Sequence, residues 1–358
     1  MWLGVGNFAL KEGHNVAVHG ALLLAESSQI KSLLDLGGSF SGRKDFNAIT
    51  RRLAEMKKFS IYRSFFAQRF DVLLISMGGI ADCRWIPDFM NDLMTSRIPF
   101  VAIVQANAEG IVEAEESRTI LRAFYDAAAC NVFVSQSNLK LAQRQLGTRI
   151  SNSMVIYNQL RETVPKALQW PENGNIFKFA EVARLEVVDK QQDHLLEALS
   201  ENIWRKRDWH LTLYGSGDDE GHILRLIEMF GLSGRVTLGG YVRDFREIWN
   251  HLHLHILPTR REGMPLSLIE SMACGRPAIV TRAGGSPELV EDGVNGWLCP
   301  GMHPEELAKT LERAWLERER WQAMGEAARV KIQQVSEPDS AERILGILKV
   351  AANQKKKQ

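Results

Sequence analysis

The stretch Arg261-Glu262-Gly263-Met264-Pro265-Leu266-Ser267-Leu268-Ile269-Glu270 follows an apolar run, Leu252–Leu257, and opens an apolar helix predicted over Leu266–Cys274. Gly263 lets the backbone approach a ligand closely. Pro265 suits an early helical position, where a missing N–H costs little. The free amides of Leu266 and Ser267, just past Met264, then point out of the helix start. A helix N-terminus binds phosphate through such amides and its dipole. Glu262 belongs to the loop and Glu270, a little over two turns on, to the helix face. Acids repel phosphate, so these two fit sugar and ribose hydroxyls, which donate to carboxylates. An ordinary helix with a dipole-favoured acid at its start accounts for the same spacing.

Outward from this segment, short apolar runs alternate with helical patterns. They are Asn15–His19, Asp71–Met77, Phe100–Gln105, Cys130–Ser135 and Met154–Tyr157, then Phe177–Arg184, Leu211–Tyr214, Arg235–Leu238, Leu252–Leu257, Pro277–Thr281 and Gly296–Cys299. Each has the length of a strand buried on both faces. The alternation predicts an α/β protein with doubly wound parallel sheets. Pro165, Pro171 and Asn173-Gly174 interrupt both periodicities, which makes 161–175 a linker between domains at 1–160 and 176–335. Residues 336–358 form a final helix, able to cross back to the first domain, and a basic tail. Two such domains face a cleft, and ligands of open parallel sheets bind beyond the carboxyl ends of the strands.

Other residues fall at those ends. Arg184 closes its strand and Lys190 follows in the next loop or first helical turn; two cations there would neutralise a departing diphosphate, or simply be surface charges. Tyr214-Gly215-Ser216-Gly217 is a close-approach turn without the full dinucleotide fingerprint. Ala283-Gly284-Gly285-Ser286-Pro287-Glu288 reads as a tight turn with a capping serine. The 358 residues carry a net charge of +1, which gives no argument for nucleic acid as a partner. Four widely spaced cysteines, Cys83, Cys130, Cys274 and Cys299, fit neither a zinc site nor a disulfide framework, so a reducing compartment is expected.

Taken in order, Arg184…Lys190, Gly215, Gly239-Gly240, Glu262…Glu270, Ala273-Cys274-Gly275-Arg276-Pro277, Gly284-Gly285 and Asp292-Gly293…Asn295-Gly296 resemble the family-four retaining glycosyltransferases of the GT-B fold. The resemblance is close over residues 176–330 and looser before them. It implies two Rossmann-like domains and transfer of a sugar from a nucleotide-diphosphate donor to an acceptor such as a glycan, a lipid-linked group or a small molecule. It implies that Arg184 and Lys190 clamp the diphosphate, Glu270 accepts from ribose and Glu262 meets the transferred sugar. Leu266 and Ser267 supply phosphate-binding amides, and Gly240 and Tyr241 lie beside the base. No metal or cofactor is implied. Many members carry a histidine after the fifth N-terminal strand; here Gln105-Ala106-Asn107 stands there, so Gln105 and Asn107 are the acceptor-side candidates. Neither is a general base, which leaves acceptor deprotonation to the departing phosphate. The missing histidine also fits an alternative, a catalytically silent binding or scaffold protein or a truncated inactive homologue.

Three further expectations concern other segments. His251, His253 and His255 would share one face of a strand, where a metal site or a plain structural strand is conceivable. The basic, aromatic stretch 43–69 reads as a solvated helix or as a peripheral contact with an anionic membrane surface on the cytoplasmic side. Finally, Lys11-Glu12-Gly13-His14 resembles the family's first helix-to-strand turn, which predicts an N-terminal domain lacking its first, central strand and so a gapped sheet.

Overall fold

Runs of β-branched and other apolar residues become strands buried on both faces. Phe100–Val104 (β4), Leu254–Leu257 (β11) and Ala278–Thr281 (β13) are buried at every position. Such strands belong inside parallel sheets covered by helices. The computed structural model describes residues 2–21, 28–43, 63–66, 68, 70–85, 87–110, 113–160, 168–172, 176–335 and 340–355.

The C-terminal sheet is parallel throughout. It is built from Phe177–Val182 (β8), Trp209–Tyr214 (β9), Val236–Gly240 (β10), β11, β13 and Gly296–Cys299 (β14). Their order is β10-β9-β8-β11-β13-β14. Counted from its own first strand this is 3-2-1-4-5-6, so winding reverses between β8 and β11 and opens a crevice at their carboxyl ends. In the N-terminal half, Leu73–Met77 (β3), β4, Cys130–Phe133 (β6) and Ser153–Val155 (β7) form a parallel sheet in that order. Ala17–Ala21 (β1) and Ser39–Arg43 (β2) pair in parallel as a separate sheet among the described residues.

Observed strands differ from the apolar runs mainly at their ends. The run Phe177–Arg184 stops as a strand at Val182, so Arg184 lies in the loop rather than closing the strand. The run Asn15–His19 is displaced to Ala17–Ala21. Only His255 of the three histidines is in β11. The expected shared face does not form. His253 Nδ1 accepts from the Lys178 amide at 3.1 Å, and His255 Nδ1 meets Ser271 Oγ at 2.9 Å. Burial holds His253 down to about 4 and His255 down to about 3. Both are therefore neutral core residues at pH 7, and His251 lies exposed in the preceding turn.

Among the described residues each domain has a large apolar cluster of its own. Trp204, Trp209, Trp315 and Trp321 surround Phe179 on one side of the C-terminal sheet. Phe100, Phe124, Tyr125 and Phe133 fill the N-terminal one. A third runs through both halves: Val101, Ile103, Val132 and Ile156 join Met264, Leu268 and Met272, with Ile344 and Leu348 of the last helix, Ser340–Lys355. That helix packs against β4 and the first helix, Trp2–Lys11. No described helix is long and apolar enough to cross a membrane. Residues 44–62, 67 and 69, the bulk of the basic stretch, lie outside the described residues, as do 161–167 and 173–175 of the linker.

Candidate active site in the interdomain crevice

Chain reversal at the switch point brings the loop after β8 beside the loop after β11. Lys190 ends the short helix Val187–Lys190, and Glu262 lies in the two-residue strand Arg261–Glu262 (β12). Their side chains, 72 residues apart in sequence, form an ion pair at 2.6 Å and are only 13% and 12% exposed. Arg184 stands further out, 68% exposed, and pairs with Glu186 at 2.8 Å. Arg184 is therefore open to solvent, whereas Lys190 is enclosed. Asp189 accepts from the Arg260 amide at 2.8 Å through its carbonyl and faces Arg261 at 3.8 Å through its carboxylate, so consecutive residues 189 and 190 both hold the β12 loop.

Behind this pair lies an acid the sequence reading passed over. Glu181, in β8, is buried, with one oxygen accepting from Gln192 Nε2 at 3.1 Å and the other without a partner. Gln192 Nε2 also donates to the Arg184 carbonyl at 2.9 Å, so this amide ties the strand to the start of the loop. Burial pushes the Glu181 carboxyl well above its usual range, with Lys190 opposing and Glu262 and Asp193 reinforcing. The folded protein thus holds a proton that the unfolded chain releases. Its stabilising contribution is complete below the unfolded pKa of about 4.3 and is lost as pH rises toward the folded value. Glu181→Gln keeps the acceptor and removes the titration. It should raise Tm at pH 8, by about 2–4 °C for each kcal/mol relieved, with the gain vanishing toward pH 4. A Tm difference that does not change with pH would show that Glu181 is not held protonated.

Glycines let the loops meet. A side chain at Gly263 would overlap the Gln105 carbonyl of the N-terminal half. Next to it β12 pairs antiparallel with Asn107–Ala108 (β5), Glu262 opposite Asn107. Met264 is buried, and its carbonyl accepts from Asn158 Nδ2 at 2.8 Å. The helix Leu266–Ala273 follows, with Pro265 as the residue before its first turn rather than in it. Leu266, Ser267 and Glu270 are half-buried on this helix. Gly215, with φ +136°, lies so close to the Ala183 carbonyl that a side chain there would collide with it. Its amide donates to the Gly240 carbonyl at 2.8 Å, which joins the ends of β9 and β10. Gly240 has φ +65° with open space beside it, and Tyr241 is 75% exposed.

The two acceptor-side candidates separate. Gln105 is half-buried after β4, its Nε2 donating to Ser76 Oγ at 3.3 Å. Asn107 is buried; it donates to Gln145 at 2.8 Å and accepts from the Ala108 amide at 2.8 Å. Asn107 thus shapes the β5–β12 contact instead of facing the crevice. Ser286 does not cap its turn: it lies inside the short helix Ser286–Leu289, buried, and its hydroxyl lacks a partner. The capping residue of that segment is Glu288, and it caps a helix of the other domain. Among the described residues no group of three His, Cys, Asp or Glu could hold a metal ion.

Residues 177–316 match the family described as glycosyl transferases group 1. That match lies within the C-terminal domain. The chain is 33% identical over 125 residues to the N-acetyl-alpha-D-glucosaminyl L-malate synthase of Bacillus anthracis, a match covering 35% of this chain and 33% of that protein. It is 32% identical over 144 residues to the exopolysaccharide phosphotransferase SCO2592 of Streptomyces coelicolor, covering 40% of this chain and 15% of that protein. The chain therefore spans a third or less of the length of these two relatives. Over both domains it superimposes on the crystal structure of Anabaena Alr3699/HepE in complex with UDP-glucose, with a TM-score of 0.68 at 20% identity, covering 99% of this chain and 95% of that one. At that identity the likeness shows the fold, and the fold is GT-B: two Rossmann-like domains facing one another.

Proposed function

We propose that the protein is a retaining, metal-independent glycosyltransferase that moves a sugar from a nucleotide-diphosphate donor to an acceptor hydroxyl. The observation that carries this reading is the Lys190–Glu262 pair at the switch-point crevice, a cation and an acid held together between two parallel sheets. Lys190 and the exposed Arg184 receive the diphosphate, assisted by the amides of Leu266 and Ser267. Glu262, once its counter-ion turns to phosphate, accepts from a hydroxyl of the transferred sugar. Glu270 accepts from ribose, and the Gly215, Gly240 and Tyr241 backbone borders the base. The acceptor enters from the Gln105 side and attacks on the face the nucleotide leaves, its proton passing to the departing phosphate oxygen. These cations supply the positive charge that a metal ion would otherwise bring. Peripheral contact with an anionic membrane through 43–69 belongs to the same reading, because a lipid-linked acceptor would be met there.

The test is a thermal-shift panel of UDP-, GDP- and ADP-sugars with chelator present, followed by assay of sugar release. A bound donor at a hundred times its dissociation constant should stabilise the protein by about 2.7 kcal/mol. No stabilisation by any donor or free nucleoside diphosphate would sink the proposal. Stabilisation without turnover, with a range of acceptors, would leave a binding protein.

A further inference from the structure

Glu288 joins three donors from the opposite domain. Its Oε1 accepts from the Ser137 amide at 2.8 Å and its Oε2 from the Gln136 amide at 3.2 Å. Oε2 also accepts from Tyr157 Oη at 2.9 Å. Gln136 and Ser137 open the helix Gln136–Leu146, whose first amides have no partner inside the helix. The local cap, Ser135 Oγ, takes only the Asn138 amide, at 3.1 Å. The remaining need is met from more than 150 residues away, by a carboxylate at the positive end of the helix. Tyr157 answers to the same contact: burial first, and then the bond to Glu288, pushes its hydroxyl up to about 12.

The turn that carries Glu288 also grips the loop of Glu262. The Gly285 amide donates to the Gly263 carbonyl at 2.6 Å. A side chain at Gly284, where φ is +52°, would strike the Glu262 and Gly263 carbonyls. On the far wall Asn138 Nδ2, from the capped helix itself, donates to the Glu262 carbonyl at 3.1 Å. Helix, turn and Glu262 loop therefore form a closed ring of contacts across the crevice. Its one charged bond between domains is Glu288 on the helix.

We propose that Glu288 is a positioning residue that holds the crevice closed by capping the N-terminal-domain helix, and thereby sets Glu262 against the acceptor wall. The proposal rests on the function above only for its kinetic consequence; the closure itself is independent of it. Glu288→Gln keeps size but offers one acceptor oxygen, and an amide N–H, to two amides and a hydroxyl. Loss of a charged hydrogen bond should speed hydrogen exchange at Gln136 and Ser137 by about ten-fold or more. Exchange in β5 and β12, which Glu288 does not touch, should rise with it. Affinity for UDP, GDP or ADP, whichever the wild type binds, should stay within about two-fold, because the diphosphate side lies in one domain, while kcat falls by about ten-fold or more. Tyr157→Phe removes one of the three donors to Glu288 and should move the same quantities in the same direction by less, which covers the case in which the first variant folds poorly. Faster exchange confined to Gln136 and Ser137, with β5, β12 and kcat unchanged, would overturn the proposal, as would a nucleotide affinity that falls as far as kcat. If the wild type bound none of UDP, GDP and ADP, the glycosyltransferase reading would fail, yet exchange in β5 and β12 would still decide the closure.

Discussion

Lys190→Met should abolish most donor binding and also destabilise the empty protein. The wild-type ammonium is 2.6 Å from Glu262, and both groups are largely out of water. Removing one partner leaves the other charge uncompensated, which costs about 3–5 kcal/mol for a buried pair. The donor loses more than a hydrogen bond. Its diphosphate would then meet a bare Glu262 carboxylate where it had met a cation. A lost charge-assisted contact alone is worth about 1.5–3 kcal/mol, or ten- to a hundred-fold in affinity. The double variant Lys190→Met, Glu262→Gln separates the two effects. It should recover much of the Tm, because no unpaired charge remains, but only that part of the nucleotide affinity which repulsion by the bare Glu262 carboxylate had cost. Calorimetric titration with nucleoside diphosphate measures the second and a melt the first. Wild-type affinity in Lys190→Met would remove Lys190 from the donor site.

Gly263→Ala should slow transfer as strongly by a different route. The added methyl would overlap the Gln105 carbonyl and approach Val134 Cγ2 to 2.7 Å. Both obstacles belong to the N-terminal wall, and one of them is backbone, so neither can yield without moving a domain. The methyl acts as a wedge at the point where β5 meets β12. A displacement of about 1 Å between reacting groups costs about 10²-fold in rate. Nucleotide affinity should change far less than kcat, since the diphosphate side of the site lies in the C-terminal domain. Gly293→Ala is the control. Its φ is +76° with nothing within 4 Å, so it carries backbone strain alone, about 1–2 kcal/mol. Equal turnover in Gly263→Ala and wild type would show that the domain contact does not govern the reaction.

Much of the architecture was legible because strands buried on both faces are short unbroken apolar runs. β4, β11, β13 and β14 were read nearly to the residue for that reason. Ser39–Arg43 was not, since Ser-Phe-Ser-Gly-Arg has no such run. β5 and β12 could not have been, because two residues have no periodicity and their pairing joins segments about 150 residues apart. The site shows the same divide. Glycines that permit close approach, an acid before a helix start and cations after a strand are visible as residue types in order. Partners are not: that Lys190 chooses Glu262, that Asn107 turns to Gln145, or that Glu288 rather than Ser286 does the capping depends on contacts between segments far apart in sequence. Glu181 was hidden by its surroundings. Flanked by Phe179, Ala180 and Val182 in a buried strand, it signals itself only as an acid at a position where its neighbours are apolar.

The apolar cluster shared by the two halves gives the molecule a unity that its two-sheet plan conceals. Val101 and Ile103 of β4, Met264 and Leu268 beyond β12, and Ile344 and Leu348 of the last helix shield one another from water. Cutting between the sheets would uncover greasy surface on both fragments, so neither half is a ready-made module. Substitutions on one side of this cluster are thereby constrained by packing on the other. Diversification of such a chain would proceed by drift of its rim loops more readily than by exchange of whole halves.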